Sequence, residues 1–167
     1  MTQGRVVLGA VALVLAAVSA SAQGLTADDE GQAAQFLVGK WTCTHTAGDF
    51  SGAYTMVYTS VFGGRWLKQT FEFPATGEGP AVETEYFLSY DARIPQWVRF
   101  GAHSNGQYYG TVGKRAGNVW SWTYVLPGRG ASAVWTKKSA VEYAVDGPSY
   151  PQGGKVITEH HSCRKVP

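Results

Sequence analysis

The chain has 167 residues, with 14 Lys and Arg against 12 Asp and Glu, a formal charge of +2 and 16% charged residues. That length holds one domain. A charge so near balance, with no dense basic run, argues against nucleic-acid binding; the short pairs Lys114-Arg115, Lys137-Lys138 and Arg164-Lys165 read as solvated turns and strand ends.

Residues 1–22 read as a secretory signal: Arg5 supplies a basic start, Val6 to Val18 an apolar run, and Ala20-Ser21-Ala22 a small-residue cleavage site. Cleavage after Ala22 leaves a domain of residues 23–167. The apolar run is shorter than the ~20 residues that a membrane-spanning helix needs. Residue 23 is Gln, so no cysteine stands there to carry a lipid. The expected product is a periplasmic or extracellular monomer with no membrane span.

Thr26, followed by Asp29 three residues later and then Gln32 to Leu37, reads as a capped short helix. The rest is rich in Thr, Val, Tyr, Trp and Phe and is broken at short intervals by Gly, Pro or Asn-Gly. Strands are expected at 38–46, 53–62, 65–73, 83–90, 96–104, 107–113, 118–126, 131–137, 139–146 and 155–163, the eighth and ninth being either separate or one bent strand. Gly63-Gly64 and Asn105-Gly106 suit two-residue hairpin loops. Pro127-Gly128-Arg129-Gly130 and Asp146-Gly147-Pro148 signal longer turns, and Ser149 to Gly154 a flexible connector. With no internal repeat, the pattern describes an all-β fold: a single antiparallel up-and-down β-barrel of about eight to ten strands with a short N-terminal helix.

Alternation places Trp120, Trp122 and Tyr124 on one face, and Tyr54, Met56, Tyr58 and Phe62 on another. Such stripes are read as packing core. The alternate positions carry Thr, Ser, Gln or charge, unlike the apolar outer band of a membrane barrel.

After export, Cys43 and Cys163 have only each other to pair with. They lie on the first and last strands, which meet when an even-stranded meander closes. A bridge across so long a loop contributes up to roughly 4 to 5 kcal/mol in the loop-entropy account. If the cysteines are direct cross-strand partners, His45 stands opposite His161, with Trp41 and Glu159 on the same face and His160 on the other. Imidazole and carboxylate are ordinary zinc ligands, so His45, His161 and Glu159 form a candidate metal set, against the alternative of a hydrogen-bonded histidine pair. His103 reads as a rim or surface residue. No nucleophile elbow, phosphate loop or His-Glu-x-x-His segment is present. Glu72, Glu83, Glu85 and Asp91 read as solvated, and no catalytic acid or base is assigned. The chain therefore reads as a binding protein in preference to an enzyme, with catalysis left open.

Gly39-Lys40-Trp41, directly after a short helix and opening the first strand, resembles the Gly-x-Trp signature of lipocalins and related calycin barrels. Gly63-Gly64-Arg65-Trp66-Leu67, Ser89-Tyr90-Asp91 and the strand rhythm from residue 37 onward are similar to a group of secreted bacterial lipocalin-like proteins. This resemblance implies Trp41 packed at the barrel base, a small hydrophobic molecule inside, and no cofactor; Trp41, His45, Glu159 and His161 are then the ligand-binding candidates. Thr158-Glu159-His160-His161 also resembles the closing strand of nitrobindin-like haem barrels. That likeness implies, as an alternative, haem held by His161 if the cysteine face points inward. A third expectation is an envelope interaction module without a ligand, which a filled interior would favour.

Overall fold

Two-residue alternation organises almost the whole described chain, because a half-buried strand needs every second side chain inside. The structure is a computed structural model describing residues 27–73, 75, 80–128 and 130–167; the expected signal segment, its expected cleavage point and the expected Thr26 cap lie outside the described residues. Helix α1 (Ala27–Ala34) runs into a short 3-10 turn (Gln35–Leu37). The strands are β1 (Gly39–Ala47), β2 (Phe50–Val61), β3 (Trp66–Phe73), β4 (Val82–Asp91), β5 (Gln96–His103), β6 (Tyr108–Ala116), β7 (Val119–Leu126), β8 (Ser132–Lys137), β9 (Glu142–Gln152) and β10 (Lys155–Lys165). Each pairs antiparallel with the next, and β10 pairs with β1, closing the barrel. Closure leaves no unpaired sheet edge.

The closing register sets Cys43 opposite Cys163, joined by a disulfide, and His45 opposite His161. Both cysteines are buried, so this face points inward. Trp41, Tyr54, Met56, Tyr58, Leu88, Trp97, Trp120, Trp122 and Tyr143 complete much of the core. Apolar bulk concentrates at the helix end of the barrel.

Helix α1 and its 3-10 extension plug that end, burying Ala34 and Leu37 among the tryptophans. The indole Nε1 of Trp41 donates to Leu37 O at 2.6 Å, tying the base of β1 to the plug. Glu30 is 3% exposed and accepts from Trp97 Nε1 at 2.7 Å and from Arg115 Nε at 2.8 Å. Lys137 Nζ lies 4.6 Å from the Phe36 ring centroid, and Lys165 Nζ donates to Phe36 O at 2.9 Å. The basic pairs are thus not uniformly solvated. Strand alternation turns Lys114 and Arg164 outward, Lys138 is exposed just past β8, and Arg115, Lys137 and Lys165 fasten the plug.

Several turns differ from the sequence reading. Asp146-Gly147-Pro148 and Ser149 to Gln152 lie inside β9, and Gly153-Gly154 make the turn into β10. Pairing with β8 and β10 on either side overrides the local breakers. The register with β10 shifts between Thr158 and His160, so Gly147 and Pro148 together face Glu159 in a bulge, where a residue lacking an N–H is tolerated. β8 and β9 are separate strands. Gly63-Gly64 and Asn105-Gly106 sit in longer loops than two residues, and of the latter pair only Gly106 has a positive φ, 84°. Phe62 departs from the Tyr54 face: it falls in the turn after β2 and is 71% exposed.

Candidate functional site

The end of the barrel opposite the plug encloses a cavity of about 790 Å3. It is within the range of small-molecule sites. Small inward residues help make the space, including Gly52, Ala131 and Gly147 on its wall. Gly101 is needed for another reason: a Cβ there would stand 2.0 Å from Glu85 O and 2.7 Å from Tyr86 Cα. With Gly101, the Tyr86 ring folds over its neighbour and remains 4% exposed.

At one side of the mouth, β1 and β10 bring His45, His161 and Glu159 together. The two imidazoles are stacked, with centroids 4.4 Å apart and planes 4° from parallel. His161 Nδ1 shares a 2.9 Å hydrogen bond with the Tyr54 hydroxyl, and its Nε2 lies 3.4 Å from Glu159 Oε2. His45 Nε2 is 3.8 Å from the same oxygen, buried and without a hydrogen bond. Burial, with the nearby His161 second, holds the His45 pKa below its usual 6.5 despite the opposing pull of Glu159.

The three candidate ligand atoms lie within 4.8 Å of one another. Proximity is not sufficient for a shared ion. A metal bound ~2 Å from an imidazole nitrogen lies near that ring's plane, and two stacked parallel rings have no plane in common. The set as arranged does not fit a single ion bound by both histidines, and no metal chemistry is derived from it.

β5 carries Arg99 deeper in the lumen and His103 at its mouth end. The Arg99 guanidinium carbon lies 3.6 Å from the Tyr86 ring centroid and 5.4 Å from that of Trp135, while Nε donates to Gln69 Oε1 at 3.2 Å. Gln69 in turn donates to Met56 Sδ at 2.6 Å. The Tyr143 hydroxyl also reaches this sulfur, at 3.6 Å, and is 3.3 Å from the Tyr58 hydroxyl. These contacts form the cavity floor. Burial raises the pKa of Tyr58 and Tyr86 to about 12 and holds that of Tyr143 well above its usual value, so the phenols remain neutral hydrogen-bonding groups.

His103 ends β5 at the mouth with its ring turned into the lumen, so it is a rim residue facing inward and not one on the outer surface. Nδ1 meets Thr84 Oγ1 at 2.8 Å and Nε2 meets the Tyr86 hydroxyl at 2.9 Å. Burial, then the charge of Arg99, lowers its pKa.

The sequence correctly groups His45, His161 and Glu159 and turns His160 outward, where it pairs with Asp146. Trp41 is sealed at the barrel base, with 0% exposure, and does not line the cavity. Glu72, Glu83 and Glu85 are exposed, as expected, and Asp91 binds Arg93 outside the lumen. Arg99 and the tyrosine cluster are the functional candidates that sequence reading missed. Their signal was available in the alternation Trp97, Arg99, Gly101, His103, which sets an arginine on the same face as a core tryptophan.

No protein-family profile matches the sequence, and no curated protein matches it. Among solved structures, the crystal structure of Rv2717c from M. tuberculosis is similar to this chain at 16% identity, with a TM-score of 0.58 over 81% of this chain and 96% of that one. At that identity the likeness extends to the barrel fold.

Proposed function

We propose that the protein is an exported, lipocalin-like barrel that binds a small, largely apolar molecule in its lumen. The observation carrying this reading is the cavity of about 790 Å3, open at one end and lined by Phe50, Phe71, Phe73, Tyr109 and Val145 with a few polar groups. A hollow interior favours a ligand over an interaction module that needs none. The buried disulfide is compatible with export, and the sealed position of Trp41 supports the lipocalin-like comparison. Many outward strand positions carry Thr, Lys or Glu, as at Thr42, Thr44, Thr55 and Glu85, which suits a barrel in water better than one in lipid. Among the described residues no helix is long and apolar enough to cross a membrane.

Titration with a neutral environment-sensitive dye, N-phenyl-1-naphthylamine, tests the reading. One saturable site is expected, with native mass spectrometry of protein from its own host showing one small molecule per chain. A dye that does not bind, together with a consistently empty barrel, refutes it.

A second reading rests on His161. It lines the cavity with Nδ1 fixed by Tyr54, as an axial histidine needs its second nitrogen held. Haem would take His161 Nε2, displacing its contact with Glu159, and would supply redox or gas-binding chemistry. Added haem should then give a Soret band that His161→Ala removes and His160→Ala keeps; no band in the wild type ends this alternative.

A further inference from the structure

Among the described residues, two arginines face inward, and their charges are treated differently. At the plugged end, Arg115 reaches both oxygens of Glu30, Nε at 2.8 Å and Nη2 at 3.2 Å. Its charge is neutralised within the fold. Arg99 has no such partner among the described residues: every ion pair found there belongs to another cation. What it touches is neutral, namely the Gln69 amide oxygen, the faces of Tyr86 and Trp135, and the Tyr124 hydroxyl. Glu159, the one carboxylate among the described cavity-lining residues, stands instead beside His45 and His161.

A guanidinium partly withdrawn from bulk water and left without a counter-charge is costly, and the cost falls when an anion arrives. Arg99 is the only Arg or Lys among the described residues lining the cavity. We infer that Arg99 receives the carboxylate of an amphiphilic ligand, whose apolar body fills the lumen between this layer and the mouth. This inference rests on the ligand-binding reading above and adds the ligand's chemical class.

Three features select a carboxylate. The guanidinium is a planar fork that matches two carboxylate oxygens. Neutral phenols beside it, Tyr86 and Tyr124, supply further hydrogen-bond donors. A single positive charge balances a monoanion; a doubly charged phosphate ester would leave excess charge in a low-dielectric space that already holds Glu159. The orientation follows from the closed floor. Met56, Tyr58 and Tyr143 are each no more than 2% exposed beneath the Gln69 contact, so the acid group enters first and the body lies against Tyr54, Phe71, Phe73 and Val145.

Displacement of N-phenyl-1-naphthylamine by dodecanoate and by dodecanol, which share one chain, reads the head-group preference directly. The wild type is expected to bind dodecanoate roughly tenfold or more tightly than dodecanol, as a charge-assisted pair contributes. Arg99→Gln should remove that preference by weakening dodecanoate alone, and Arg99→Lys should retain part of it. Equal affinity for acid and alcohol in the wild type, with the dye still bound, overturns the carboxylate inference and leaves the ligand-binding reading standing. Failure of the wild type to bind dye, acid or alcohol overturns both. Since the wild-type comparison needs no variant, misfolding of Arg99→Gln does not protect the inference.

Discussion

His45 and His161 stand directly opposite each other on the two closing strands, their rings parallel and 4.4 Å apart. Stacking of this kind suits neutral imidazoles. A proton on His45 is disfavoured first by burial and then by the facing His161, against the opposing pull of Glu159.

Acid should therefore destabilise the barrel through its lumen histidines. His45 and His103 both have folded pKa values below 6.5, in each case first because of burial. Above 6.5 they are neutral in both states and contribute no pH dependence. As pH falls below 6.5 the unfolded chain takes protons that the folded one refuses, so stability declines until the folded pKa is passed. Each histidine changes the unfolding free energy by at most about 1.4 kcal/mol per pH unit in that window. Urea midpoints between pH 7.5 and 5 should fall for the wild type and fall less for His45→Gln and His103→Gln. Identical slopes in all three would refute the assignment.

Glu30 should be among the most sensitive positions of the plug. Removing its side chain strands Arg115 and the Trp97 indole without their acceptor. Glu30→Ala is expected to cost about 3 to 5 kcal/mol, the range for breaking one partner out of a buried ion pair. Arg115→Ala should also be costly, because it leaves Glu30 uncompensated. The double variant should lose less than the two single losses combined. Urea denaturation of the four proteins measures this coupling, and strict additivity would show that the pair does not act as a unit.

How far the sequence discloses this molecule depends on whether a feature is periodic or three-dimensional. Period-two alternation, two cysteines and a closing meander suffice to set His45 against His161, because all three constrain one register. The same alternation carries Arg99, but an arginine before a hairpin looks solvated until the barrel closes around it. Glu30 and Arg115 are far apart in sequence, and only docking of the helix against the barrel end joins them. At Gly147-Pro148 the local signal is that of a turn. Pairing from both neighbouring strands prevailed, and the bulge it left sits opposite Glu159.

The disulfide offers a test of what holds the closing register. Cys43 and Cys163 are 120 positions apart, so the bridge restricts the unfolded chain strongly, with a ceiling near 5 kcal/mol from loop entropy. It does not act alone in the folded state, since the β1–β10 pairing runs from Trp41↔Lys165 to Ala47↔Glu159 and plug contacts brace the same seam. A Cys43→Ala/Cys163→Ala variant should therefore keep its β circular dichroism and its affinity for the neutral dye while its urea midpoint drops by the equivalent of several kcal/mol. Loss of dye binding by a variant that still melts cooperatively would mean that the bridge, and not strand pairing, holds His45 and His161 in place at the mouth.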